Sequence, residues 1–213
     1  MVSGKANSSS RGSERGGRKR ARPPLDEVAL RDLALSYAAR YASTGARLEA
    51  YLARKLKERG VAEDGDGRSM QIDIPALVGR LVELGYVDDA AYARMRTRDL
   101  AGRGYGARRV EQALWAAGVD ETIRADTAPD EAAQRRAAVL MAKKRGFGPY
   151  RRAAAEEGDP LAVHKAREKA VAAMLRAGHD YDHVRFLLDC PGEAELEAWL
   201  DEVADQEGFE GSW

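Results

Sequence analysis

Six arginines crowd one short stretch of this chain: Arg94, Arg96, Arg98, Arg103, Arg108 and Arg109 surround Tyr105, with Asp99 the one acid among them. A basic face of that density suits an acidic protein groove or nucleic-acid phosphates, with Tyr105 as an aromatic anchor. The alternative is a solvated helix face whose arginines pair with acids a turn away, such as Glu111. Six cations exceed what such pairing needs, so Arg94, Arg98, Arg103, Tyr105, Arg108 and Arg109 are the binding candidates. A second basic run, Lys143-Lys144-Arg145, precedes Gly146 and Phe147. It is a further candidate, although a helix C-terminus attracts cations through its dipole alone. Arg151 and Arg152 beside Tyr150 make a weaker one.

Other chemistries find less support. Gly102, Gly104 and Gly106 imitate a phosphate-cradling loop, but no strand precedes them and no Lys-Ser/Thr pair opens the following helix. His179 and His183 lie near Cys190, yet a helix boundary falls between them and no fourth ligand is evident, so exposed histidines are expected and no metal. Serines and histidines show no nucleophile-and-base spacing. An enzyme is therefore not expected, nor a cofactor. Trp115 is expected to pack between repeats, a partner-facing position being the alternative.

The elements that must position the arginines are helices. Leu84–Gly118 reads as helix, glycine-broken turn, helix: Asp88 is placed to cap the first. Val87 and Tyr92 have the spacing of a hydrophobic staple across that start. The second helix buries Val110, Leu114 and Ala117 and stops at Gly118, which suits a left-handed position. Leu48, Leu52 and Leu56 lead to Gly60 in the same rhythm, and Ala166, Ala170 and Met174 lead to Gly178. Such recurrence marks stacked helical units. Leu30, Ala34, Tyr37, Ala38 and Tyr41 are expected as the buried stripe of a helix beginning near Asp26. Thr44 and Asp73 cap the next two helices. Ala133, Ala137, Leu140 and Met141 are expected to face inward on a helix over Glu131–Arg145, and Leu196, Trp199, Leu200 and Val203 on a last, acidic helix. No segment alternates with period two.

The fold expected is all-α: three tandem three-helix repeats forming an elongated curved molecule. The divisions are a disordered basic tail (1–24), repeats over 26–86, 87–128 and 129–190, and an acidic C-terminal helix and tail (191–213). The net charge of zero hides an asymmetry. Residues 1–24 hold seven cations against Glu14 alone, and no basic residue follows Arg185. The tail is either a phosphate binder sensitive to salt or a solubilising leader. The single cysteine, Cys190, permits no internal disulfide, and no apolar h-region or membrane-length run occurs, so a cytoplasmic protein is expected.

Leu84–Ala93 (LGYVDDAAYA), Gly102–Val110 (GRGYGARRV), Ala113-Leu114 and Gly118, in this order, resemble the RecX family of recombination regulators. Ala34-Leu35, Ala53–Gly60 (ARKLKERG) and Arg176–Leu188 (RAGHDYDHVRFLL) extend the resemblance over about residues 27–190. It implies tandem three-helix repeats that bind in the groove of the RecA filament on single-stranded DNA. Filament growth, ATP hydrolysis and strand exchange would be inhibited. Apart from the resemblance, a monomer is expected, with direct contact to single- or double-stranded DNA through basic residues as a further option and no contact to membrane. One departure is local. Thr44–Leu48 reads TGARL, so Arg47 stands where many members place the glutamate of a capping box, and a weaker helix start is expected. The basic tail and acidic helix lie outside the family pattern.

Overall fold

A computed structural model describes residues 22–151 and 160–210, with no side-chain account for 204–210. The tail assigned to residues 1–24 therefore lies outside the described residues up to position 21, as does Arg152. Ten α-helices follow one another among the described residues: α1 (Glu27–Ala38), α2 (Gly45–Arg59), α3 (Ile74–Glu83), α4 (Asp89–Gly102), α5 (Ala107–Trp115), α6 (Glu121–Asp126), α7 (Glu131–Arg145), α8 (Pro160–Arg176), α9 (Tyr181–Asp189) and α10 (Glu193–Glu210). Among the described residues the extended backbone amounts to two isolated bridges, so the chain is all-α as expected.

Short polar side chains start most of these helices. Asp26, Asp73, Asp88 and Asp130 each accept from a backbone N–H three residues on, at 2.6–2.9 Å. Each bond satisfies one of the orphan donors of a first turn and is worth about 1 kcal/mol. Pro75 sits in the first turn of α3, where its missing N–H costs nothing.

Three separate cores run in series instead of one common centre. Leu25, Leu30, Leu48, Leu52, Val78, Leu81 and Val87 form the first. Tyr92, Leu100, Val110, Leu114 and Val119 form the second. The third gathers Met141, Met174, Val184, Leu187, Leu196 and Trp199, so α10 docks on the last triplet through the stripe its spacing predicts. Val87 and Tyr92 are both buried but belong to different cores, so the residues expected to staple one helix start straddle a boundary between units.

The units join end to end through their second helices. The C-terminus of α5 abuts the N-terminus of α2, where the Thr44 hydroxyl donates to the Ala117 carbonyl at 2.5 Å. The C-terminus of α8 meets the N-terminus of α5 in the same way: the Gly106 and Arg108 N–H groups donate to the Ala177 and Gly178 carbonyls at 3.0 and 3.1 Å. Gly118 and Gly178 close the two helices at φ +73° and +90°, a region side chains resist. A methyl group at Gly118 would overlap the Ala46 side chain; one at Gly178 would overlap the Arg109 backbone.

Two expectations about packing fail for geometric reasons. Tyr41 is 58% exposed because α1 ends at Ala38, before that residue can join the buried stripe. On α7 the buried residues are Ala132, Ala137, Ala138, Met141 and Ala142, while Ala133 and Leu140 are only half-buried. That face is broad because α7 packs against α4, α9 and α10 at once.

Candidate partner-binding interface

The joint between the second and third triplets gathers most of the basic candidates. Arg103 caps α4, and its carbonyl accepts from Lys144 Nζ at 3.3 Å. The two basic runs, 41 residues apart in sequence, thus adjoin. Tyr105 lies between Gly104 and Gly106, both tied across the joint, and keeps 38% of its surface exposed. Arg108 and Arg109 open α5 beside the end of α8. Lys143, Lys144 and Arg145 occupy the last turn of α7, which closes on left-handed Gly146; their charges complement the free carbonyls there. Arg94 and Arg98 lie one turn apart on the exposed side of α4 with Met95, which is 46% exposed.

Charge pairing divides these residues. Asp99 serves both Arg96 and Arg103 at 2.8 Å. Arg108 approaches Asp180 at 3.7 Å. Glu111 pairs with Arg124 at 2.7 Å and so is not spent on Arg108 or Arg109. Arg94, Arg98, Arg109, Lys143 and Arg145 have no carboxylate partner among the described residues; Lys143 lies 5.8 Å from the Tyr150 ring centre. Burial raises the Tyr150 phenol above its ordinary pKa.

The joint's one buried titratable group departs from the sequence expectation. His179, expected at the surface, is 2% exposed, and its Nε2–H donates to the Gly104 carbonyl at 3.0 Å. Burial holds its pKa below the ordinary histidine value despite that bond, so the ring is neutral at neutral pH. The register of Gly178-His179 against Gly118-Val119 is visible in the sequence and points to a core position. His183 is used separately, bonded to Glu131 at 2.9 Å. Burial raises the Glu131 pKa, but bonds from Arg135 and His183 outweigh it and leave the carboxylate below its usual range. Arg135 also donates to the Trp199 carbonyl at 2.6 Å and lies 4.7 Å over its ring, fastening α10. Among the described residues no group of three His, Cys, Asp or Glu side chains could hold a metal ion.

Trp115 corrects a second expectation. It is 70% exposed and packs between no repeats. It follows Leu114 by one residue, about 100° round the helix from the Val110–Leu114 stripe, a signal the pattern already held.

Arg47 corrects a third. The N-terminus of α2 does receive a carboxylate, from the neighbouring unit: Gly45 N–H donates to Asp89 at 2.9 Å. Arg47 itself donates to the Tyr92 hydroxyl at 2.6 Å and lies 5.3 Å over that ring, so the departure from the family pattern ties the first joint together.

Helix triplets with separate cores, locked end to end and carrying cations without carboxylate partners among the described residues at a joint, define a modular all-helical protein. A family model described as RecX, second three-helix domain, matches residues 88–127, the span of α4–α6. Regulatory protein RecX of Myxococcus xanthus is 30% identical over 164 residues, covering 75% of this chain and 84% of that one. Regulatory protein RecX from a strain of Thermus thermophilus is 36% identical over 101 residues, 45% of this chain and 70% of its own. The chain belongs to the RecX family of regulatory proteins. The crystal structure of RecX from Lactobacillus salivarius shares its fold, with a TM-score of 0.57 at 19% identity over 80% of this chain and 96% of that one. No helix among the described residues is long and apolar enough to cross a membrane.

Proposed function

We propose that this protein binds the RecA filament on single-stranded DNA as a cytoplasmic monomer and restrains its extension, ATP hydrolysis and strand exchange. The observation that carries the reading is the basic joint, where Arg109, Lys143 and Arg145 have no carboxylate partner among the described residues, beside Arg103, Tyr105 and Arg108. Family membership supplies the regulatory role, and the stacked triplets supply reach. Several weak contacts held on one scaffold act at high effective concentration, so a chain spanning several filament subunits need not grip any one tightly. Arg94 and Arg98 extend the same basic character along α4. The protein acts by binding.

Substoichiometric protein is expected to slow the DNA-dependent ATPase of RecA at salt concentrations where it scarcely binds DNA alone. Inhibition that merely tracked its own DNA affinity would favour a DNA-binding protein acting without RecA. Reversing Arg103, Arg108 and Arg109 to Glu together is expected to abolish inhibition while circular dichroism stays unchanged. Retained inhibition would remove the joint from the mechanism.

A further inference from the structure

The first triplet carries an aromatic and basic face that the filament reading leaves unused. Tyr37 of α1 and Tyr51 of α2 stack with ring centres 4.4 Å apart and planes 25° apart. Tyr41 leans on Tyr37 at 5.1 Å, tilted by 47°. Tyr37 and Tyr51 are half-buried against the first core, whereas Tyr41 stands free of it with 58% of its surface exposed.

Cations interleave with these rings. Arg54 lies 5.6 Å and Lys55 5.8 Å from the Tyr51 ring centre. Arg40 is exposed and has no carboxylate partner among the described residues. Together with Ser36, the three tyrosines, Arg40 and Arg54 line an open cleft of about 300 Å³. Glu58 pairs with Arg54 at 3.7 Å and with Lys55 at 2.6 Å. Its hydrogen bond from Lys55, with the nearby charges of Arg54 and Arg22, holds its carboxylate below the usual range. Arg59 Nε donates to the Pro23 carbonyl at 2.9 Å and fixes the chain there.

We propose that this face of the first triplet seats a single nucleic-acid strand. Bases stack on the Tyr41–Tyr37–Tyr51 tier, and Arg40 and Arg54 hold the phosphates. Ring faces interleaved with cations are what a strand with unpaired bases needs, since every such base offers a π-face and every linkage a negative charge. A duplex hides its base faces and meets only the cations. The face lies on α1 and α2, apart from the joint assigned to the filament, so strand binding is measured with no recombinase present.

The experiment follows fluorescence anisotropy of a labelled oligothymidine, and of a duplex of equal length, titrated with the whole chain. Tyr41→Ala is expected to weaken oligothymidine binding roughly five- to a hundred-fold, the usual effect of losing one base–aromatic stack. Tyr41→Phe retains binding, and neither variant alters duplex affinity. Arg40→Ala with Arg54→Ala is expected to flatten the salt dependence on both substrates. Should Tyr41→Ala shift the thermal midpoint, Tyr41→Leu keeps an apolar contact on Tyr37 without a ring and decides the matter. Undiminished oligothymidine binding by the ring-less variants overturns the proposal, as does an equal loss on duplex. A loss of RecA-filament affinity with strand affinity intact overturns it too, by making this a protein-binding face.

Discussion

The two joints repeat one geometry with different chemistry. At the first, a side chain makes the link: Thr44 caps its own helix through Arg47 N–H at 3.2 Å and also donates to Ala117. At the second, Gly106 occupies the corresponding place and the backbone makes the link itself. A methyl group at Gly106 would overlap the Gly178 carbonyl, so the closer approach of α8 and α5 leaves no room for a capping side chain. The residue after each closing glycine differs as well. Val119 is buried in the second core, while His179 brings a buried polar ring to the second joint. Where the second helices meet, the first joint is thus linked through a side chain that substitution can trim and the second through backbone that it cannot, with the His179 ring adding a side-chain bond alongside.

That contrast is open to attack at three strengths. Gly178→Ala places a methyl group on the Arg109 backbone at a φ of +90° and is expected to cost about 3 kcal/mol or more. Urea unfolding measures it, with Gly65→Ala, which has open space around it, as a control expected within about 0.5 kcal/mol of the parent. At Gly118 the obstacle is the Ala46 side chain, so Ala46→Gly should restore part of what Gly118→Ala loses. Rescue of Gly178→Ala by any neighbouring truncation would erase the distinction.

Thr44→Val removes the hydroxyl and leaves the Ala117 carbonyl without that donor, a loss of about 1–3 kcal/mol in thermal or urea unfolding. Thr44→Ser should keep most of the stability. If valine is tolerated as well as serine, the first joint does not depend on its side-chain link.

The smallest effect is confined to the second joint. Because burial lowers the His179 pKa, the unfolded chain binds the proton more readily. His179 therefore contributes its full stability above the unfolded value of about 6.5, and loses it as pH falls through the folded value, at no more than about 1.4 kcal/mol per pH unit. The parent should lose more stability than His179→Gln between neutral and mildly acidic pH. Parallel curves would show that the ring's charge does not matter to the joint.

Much of the local architecture was legible because its causes lie within a few residues. Thr44, Asp73 and Asp88 announce helix starts through bonds three positions on, and Gly118 and Gly178 announce ends. The basic candidates were legible as types, but not their grouping: Lys144 meets Arg103 across 41 positions and His179 meets Gly104 across 75.

By itself, then, the sequence determined which segments are helical, which stripe of each is apolar, and the family to which the chain belongs. Tertiary structure alone decided that Asp89 caps a helix in another unit, that Arg47 serves a joint instead of a capping box, and that Tyr41 is left in the open. The physical reason is range. Caps and apolar periodicity act within a turn or two of backbone, whereas burial and pairing at a joint depend on how closely two helix ends approach, which no local pattern encodes.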